Sequence, residues 1–284
     1  MKRFYFIMSF FIIVVLTITG CTQNQEKTIV KDRADAEEFI IAGSGTNLPI
    51  AGKLVDCYNR KYGTKIQMPG SIGSGGGIRA VSEGAISLGM VSRPLKDSEK
   101  RAGVKEVPYA RVALVIAVNQ DVPEDNITYR ELVDIFAGRK VSWQNGKNIV
   151  VLSREDGDSS NMVLEKSVPG FKKVLADSYR ERRWQVYFTD AEEARAIAKL
   201  SSSIGFSDSG AITAQKLKIK ALQVDGTDPV IDNVRNGRYT LYKDLYFVYK
   251  EPLSDRGKKF LDFVLSGEGE RVITANGGIQ LKGY

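Results

Sequence analysis

The sequence predicts an α/β protein on three observations. Short apolar runs alternate with amphipathic helical segments through the chain beyond its first forty residues or so. Four times a short loop of Gly, Ser, Thr or Arg follows an apolar run and leads into a helix or turn. The helical segments also carry start and stop signals at their ends. In order, residues 39–42 form a strand, followed by the loop Gly43-Ser44-Gly45-Thr46-Asn47. A helix over residues 48–62 places Ala51, Leu54, Val55, Tyr58 and Tyr62 at three- and four-residue spacing. Pro49 stands in its first turn and Gly63 just past its end. Residues 65–68 form a second strand, and a glycine-rich turn at 70–77 leads into a short helix at 78–83. Residues 86–91 form a third strand that ends at Ser92-Arg93-Pro94. The strongest strand run lies within residues 111–119. Thr128 with Glu131 makes a capping box, and Gly138 closes that helix. A strand at 148–153 and the loop 154–160 feed a helix at 161–167, and Asp190 with Glu193 caps another that runs to Leu200. Residues 204–206, 221–224 and 245–249 read as strands, and 256–265 and 268–275 as helices.

The amino terminus reads as an address. Met1-Lys2-Arg3 is basic, residues 4–18 are almost wholly apolar, and Ile18-Thr19-Gly20 precedes Cys21. That stretch is shorter than the roughly twenty apolar residues a spanning helix needs. The small residues before Cys21 resemble a bacterial lipobox, which implies a signal peptide over residues 1–20, cleavage before Cys21 and lipid (palmitate) on that residue. Residues 21–37 are polar and without apolar period, a flexible tether. With Cys21 acylated, Cys57 has no partner and reads as a buried, inert thiol.

Composition closes several function classes. The chain has 284 residues, 43% hydrophobic and 26% charged, which suits a globular protein. It has no histidine and two cysteines, so a Ser-His-Asp triad, a Cys-His pair and a four-cysteine zinc site are excluded, and no metal or cofactor is expected. The net charge of +7 is spread along the chain with no basic stripe interleaved with aromatics, which argues against a nucleic-acid partner. Trp143 and Trp184 read as core or rim, and Glu192-Glu193 as a helix face.

The loops carry the chemistry. They are Ser44-Gly45-Thr46-Asn47, Gly73-Ser74-Gly75-Gly76-Gly77, Ser92-Arg93-Pro94 and residues 154–160. A helix start offers unpaired N–H groups and a positive dipole end, glycine allows close approach, hydroxyls add donors, and arginine adds a bidentate fork. Charge-assisted hydrogen bonds contribute roughly 1.5–3 kcal/mol each, so several converging on one tetrahedral anion reach about micromolar affinity. Neither Gly-x-Gly-x-x-Gly nor a P-loop fits. Ser74 and Ser159 have no histidine and no evident lysine partner, so a phosphate-ester enzyme lacks its activated nucleophile.

In this order the loops resemble those of the lipid-anchored phosphate-binding proteins of bacterial ABC importers, the PstS family. The resemblance spans residues 38–282. It rests on Gly43-Ser44-Gly45-Thr46, Gly73-Ser74-Gly75-Gly76-Gly77-Ile78, Ser92-Arg93-Pro94-Leu95 and Ser153-Arg154-Glu155-Asp156-Gly157. Ile204-Gly205-Phe206, Val224-Asp225-Gly226 and Asn236-Gly237-Arg238-Tyr239 add to it. It implies a two-lobed, type II periplasmic-binding fold with the ligand clamped between lobes. Lobe 1 would be residues 38–115 and 247–284 and lobe 2 residues 116–246, with 112–118 and 245–249 as hinge-crossing strands. It implies that Thr46, Asn47 and Leu48 donate from the first helix start, with Ser74, Gly75, Ser92 and Arg93 beside them. Arg154 would be the main countercharge, held in place by Asp156, and residues 157–160, with Ser159 and Ser160, the second lobe's helix start. The family's last loop often reads Arg-x-x-Gly-Ser-Gly-Thr, whereas here Asp158 stands at a serine position. Asp158 either accepts a proton from a monohydrogen oxyanion or caps the following helix.

The function implied is an extracytoplasmic, monomeric phosphate receptor, not an enzyme, anchored to the membrane through Cys21 and serving a membrane permease of an ABC importer. The alternatives are another oxyanion (sulfate, molybdate or tungstate) or a surface phosphate sensor or adhesin.

Overall fold

The computed structural model describes residues 39–282; the expected signal peptide, the tether and Cys21 lie outside them. One long strand organises the rest. β3 (Val104–Val118) is fifteen residues long, longer than the run expected from its apolar centre, because it extends back through a partly exposed stretch: Val104 is buried, Lys105 is exposed, residues 106–108 are half-buried, and Tyr109 and Ala110 are buried. Its first half, Val104 to Ala113, pairs antiparallel with β10 (Tyr242–Lys250). Its second half, Leu114 to Val118, pairs antiparallel with β7 (Ser203–Asp208).

Around this strand the sheet runs β1 (Ile41–Gly43), β2 (Leu88–Val91), β10, β3, β7, β5 (Val150–Arg154), β6 (Gln185–Tyr187); β8 (Lys220–Ala221) and β11 (Ile279–Gln280) also pair with β3, and β4 (Asn126–Ile127) pairs with β9 (Gln223–Val224). The outer pairs β1–β2, β5–β6 and β5–β7 are parallel, and the connections through helices follow the usual α/β pattern. The expected strand at 65–68 is a single bridge, Ile40 to Gln67. Gly43 closes β1 at φ +151, where a Cβ would lie 2.0 Å from the Met90 carbonyl oxygen, so only glycine fits against β2.

Two main hydrophobic cores flank the change of partner. One gathers Ile41, Leu54, Tyr109, Val112, Leu245, Phe247, Phe260 and Val264. The other gathers Leu114, Ile116, Leu132, Phe136, Phe171, Phe206 and Leu241. Ala113 and Leu114 on the outward strand, and Leu241 and Tyr242 on the return, stand where the chain passes from one core to the other.

The helices follow their caps. α1 (Leu48–Tyr62) buries Ile50, Ala51, Leu54, Val55 and Tyr58 and ends at Gly63 in the left-handed region; Tyr62, expected inside, is 52% exposed. α2 (Gly73–Ser82) begins within the glycine run that was expected to be a turn. α3 (Asp97–Arg101) is short. α4 (Tyr129–Phe136) carries the expected Thr128–Glu131 capping box. α5 (Ser159–Ser167) starts at the end of the β5 loop, and α6 (Phe171–Arg180), which lacked a sequence signal strong enough to be read, follows. α7 (Asp190–Lys199) is capped by Thr189 with Glu192, one residue earlier than the expected Asp190–Glu193 pair; that shift frees Asp190 and Glu193 for another use. α8 (Ser209–Gln215) is capped by Asp208, α9 (Ile231–Arg235) leads into the return strand, and α10 (Asp255–Leu265) and α11 (Gly267–Ala275) pack on the first core.

Trp143 is buried and Trp184 half-buried, as read from the sequence. Cys57 is half-buried rather than buried, its thiol 3.7 Å from Glu268. Among the described residues no helix is long and apolar enough to cross a membrane.

Candidate oxyanion site

The carboxyl ends of β1, β2 and β5 point to one locus, where open α/β sheets hold their ligands. β1 leads into a 3-10 turn, Gly45–Asn47, and then α1, so Thr46 and Asn47 sit at a helix start; both are buried. β2 leads to Ser92. β5 ends at Arg154 and loops to Asp158, which caps α5 and places Ser159 and Ser160 in its first turn.

Ser92 is the meeting point. Its Oγ lies 2.7 Å from Ser44 Oγ and 3.5 Å from Ser74 Oγ, it donates to Ser159 Oγ at 2.9 Å, and its backbone N–H donates to Ser74 Oγ at 3.3 Å. Four loops therefore converge on one hydroxyl. Asn47 Oδ1 accepts from the Tyr109 hydroxyl at 2.8 Å, while its Nδ2 is buried with no hydrogen-bond partner among the described residues.

Arg154 supplies the positive charge, 2% exposed. One Nη donates to Asp158 Oδ2 at 3.0 Å and lies 3.5 Å from Asp190 Oδ2; Nε lies 3.6 Å from Glu193 Oε2. The Nε and the other Nη are buried without a hydrogen-bond partner among the described residues, a fork with donors to spare. Burial by itself would lower the guanidinium's pKa, but Asp158, Asp190 and Glu193 outweigh it and hold it above its ordinary value. Burial pushes Glu193 up to about 8: the guanidinium is near but not bonded, and the Phe206 N–H at 2.9 Å does not offset complete desolvation. Burial likewise pushes Asp208 up to about 6, against the pull of Lys243 and the Ala211 N–H it caps. Asp158 goes the other way: burial would raise it, but Arg154 and Lys243 hold it below the ordinary carboxylate range.

Three sequence expectations change. Asp156 is exposed, and the carboxylates that hold Arg154 are Asp158, Asp190 and Glu193; the loop turns at Gly157, φ +76, and carries Asp156 outward. Arg93 forks onto Glu99, at 2.9 and 2.8 Å, and onto the Pro94 carbonyl oxygen, because Glu99 opens the first turn of α3 only six residues on. Asp158 caps, as one of its two readings held, but does not point away: Oδ1 accepts from the Ser160 N–H at 2.8 Å while Oδ2 takes Arg154. Leu48 and Gly75 stand in the first turns of α1 and α2, and the Leu48 N–H donates to the Gly45 carbonyl oxygen of the 3-10 turn.

Sequence reasoning missed four charged residues. Lys243, with its side chain 1% exposed, donates to Thr46 Oγ1 at 2.9 Å and Ser160 Oγ at 3.0 Å. Asp190 accepts from Thr46 Oγ1 at 3.2 Å and approaches Gly45, where a Cβ would lie 2.4 Å from its Oδ2. Glu193 and Asp208 complete the set. The available signal was a lysine inside an apolar strand run, and a Thr-Asp pair in which Thr, not Asp, is the better cap.

This α/β arrangement is the type II periplasmic-binding-protein fold. A sequence model of the PBP superfamily domain matches residues 25–268, and the chain belongs to that superfamily. It is similar to phosphate-binding protein PstS of Staphylococcus epidermidis, 26% identical over 252 residues that cover 80% of this chain and 74% of that one. It is also similar to phosphate-binding protein PstS of Borreliella burgdorferi, 24% identical, covering 87% and 92%. A crystal structure of a phosphate ABC transporter substrate-binding protein from Clostridium perfringens, with bound phosphate, aligns at a TM-score of 0.77 and 28% identity, covering 87% of this chain and all of that one. The resemblance read from the loops therefore extends to the whole described fold.

Proposed function

We propose that this chain is an extracytoplasmic solute-binding lipoprotein that captures inorganic phosphate and presents it to the permease of an ABC importer. The observation that carries the reading is the convergence, at one buried locus, of hydroxyls from four loops with an arginine whose remaining donors are unpaired. Phosphate is the ligand named for the similar proteins. Thr46, Asn47, Ser74, Ser92, Ser159 and Ser160 act as donors and Arg154 as countercharge, with the α1, α2 and α5 starts adding amides. Asp158 positions Arg154 and Ser160 rather than facing the anion. Two lobes, residues 38–115 with 247–284 and residues 116–246, close on the anion, with residues 112–118 and 245–249 as the hinge-crossing strands. Only contacts made from both sides favour the closed form. Cys21, acylated, anchors the monomer to the membrane. The protein binds and releases; it is not an enzyme, and its relatives' names describe binding proteins.

The test is calorimetric titration of the full chain in detergent with phosphate, sulfate and molybdate, after removal of bound anion. Phosphate binding at micromolar affinity or tighter, lost in Arg154→Ala, is expected. Binding of sulfate or molybdate in its place would keep the site and change the ligand. Silence to all three would end the receptor reading.

A further inference from the structure

A single lysine joins the two sides of the candidate site. Lys243 is the second residue of β10, in a run otherwise rich in apolar and aromatic side chains, and its own side chain is 1% exposed. A buried ammonium is costly unless each of its donors finds an acceptor. Two go to Thr46 Oγ1 at 2.9 Å and Ser160 Oγ at 3.0 Å, hydroxyls that stand at the starts of α1 and α5. Asp190 Oδ1 lies 3.9 Å away.

The Asp190 carboxylate shows what this cluster does to an oxyanion. It accepts from the Thr46 hydroxyl and has Lys243 within 4 Å of Oδ1 and Arg154 within 4 Å of Oδ2. An internal anion is thus held by a hydroxyl, an ammonium and a guanidinium together. Arg154 shares its charge with Asp158, Asp190 and Glu193, so a multiply charged guest calls for a second cation beside it. A hydroxyl that accepts from an ammonium also has its own proton turned away from that ammonium. Lys243 therefore turns the Ser160 proton toward something other than itself, while the Thr46 proton goes to Asp190 Oδ1.

Resting on the phosphate-receptor reading, we infer that Lys243 is a second anion-binding cation of this site, which touches the bound oxyanion and ties Thr46 on one side of the cleft to Ser160 on the other. It sets affinity in two ways: by charge, and by fixing the donor direction of the Ser160 hydroxyl. Tethering both sides from the crossing strand also links anion capture to closure.

The experiment is titration of the full chain in detergent with sodium phosphate, comparing the wild type with Lys243→Met, Lys243→Arg and, as control, Arg154→Ala. Folding is checked by circular dichroism and thermal melting. Lys243→Met should weaken phosphate about 10- to 100-fold, the effect of losing one or more charge-assisted hydrogen bonds, and Lys243→Arg should recover part of it. A folded Lys243→Met that binds within threefold of wild type, while Arg154→Ala does not bind, overturns this inference alone. A wild type that binds no phosphate overturns the receptor reading and the inference with it. Should Lys243→Met fail to fold, the wild type decides. With ¹⁵N-lysine labelling, the protected Lys243 ammonium resonance, assigned through Lys243→Arg, should shift on phosphate addition, and an unmoved resonance overturns the inference.

Discussion

The two walls of the site differ in kind. The wall built from β1, α1, α2 and β2 offers neutral donors: Ser44, Thr46, Asn47, Ser74 and Ser92. The wall built from β5, α5, α7 and β7 holds charge: Arg154, Asp158, Asp190, Glu193 and Asp208. Neutral hydroxyls and amides choose geometry, since each must be reached at about 2.7–3.0 Å. A buried ion cluster chooses charge, since each added negative charge is weighed against carboxylates already in place. In the proposed site, capture of a tetrahedral anion would thus divide between a wall that measures shape and one that sets electrostatics.

The comparison breaks most visibly on the charged wall. Arg154→Ala leaves Asp158, Asp190 and Glu193 without their shared cation. Phosphate affinity should fall more than about a thousandfold, consistent with two or more charge-assisted bonds lost. Removing one partner of a buried ion cluster should also cost about 3–5 kcal/mol of stability, read by urea denaturation at pH 8. The stability loss should shrink at pH 5, where Glu193 and Asp208 hold protons. A variant equally stable at both pH values and still binding would place Arg154 outside the site.

Next in size is the pH response of Glu193. Its folded pKa is about 8 and its ordinary value 4.5. The folded state therefore binds more protons than the unfolded state across that window, and this residue's contribution to stability falls as pH rises through it. Asp208, at about 6, contributes the same sign at lower pH. Between pH 6.5 and 8.5 the wild type should lose about 2 kcal/mol, and Glu193→Gln should flatten that slope. Equal slopes in the two proteins would mean that Glu193 is ionised at neutral pH.

The neutral wall gives a smaller effect. Ser92→Ala removes the hydroxyl that meets Ser44, Ser74 and Ser159, and phosphate should bind about tenfold more weakly with its pH dependence unchanged. A changed pH profile, measured by titration at pH 6 and 8, would erase the division between the walls.

The same division explains what was legible in the sequence. The neutral wall is made of local grammar: Gly43-Ser44-Gly45-Thr46 lies where a strand gives way to a helix, and such starts advertise themselves, as Ser159-Ser160 do on the charged wall. The apolar periods located α1, α4, α10 and most strands for the same reason. The charged wall is assembled from residues far apart in the chain. Asp190 and Glu193 look like a cap and a helix face until Thr189 and Glu192 take the capping box, and only then does burial beside Arg154 emerge. Lys243 is about 200 residues from the hydroxyl it reaches on Thr46. No local pattern encodes such pairings; strand order does. The same limit misplaced Asp156, whose nearness to Arg154 in sequence is undone by one turn at Gly157.

Arg93 gives the smallest and sharpest test. By sequence it belongs to the neutral wall's Ser92 loop and would make that wall cationic. In the structure its guanidinium is spent on Glu99, whose carboxylate also accepts from the Lys96 N–H at 2.7 Å and is held below its ordinary pKa, chiefly by the Arg93 hydrogen bonds. Side-chain exposures of 10% and 17% place the pair at the margin of the surface, where a bidentate contact is worth about 1 kcal/mol. Arg93→Ala should therefore lower stability by about that amount and leave phosphate affinity within twofold. Because the pair is partly screened, the stability difference should also narrow in 1 M salt. A tenfold loss of affinity would instead show that Arg93 leaves Glu99 when the anion arrives, and the neutral wall would then carry a charge of its own.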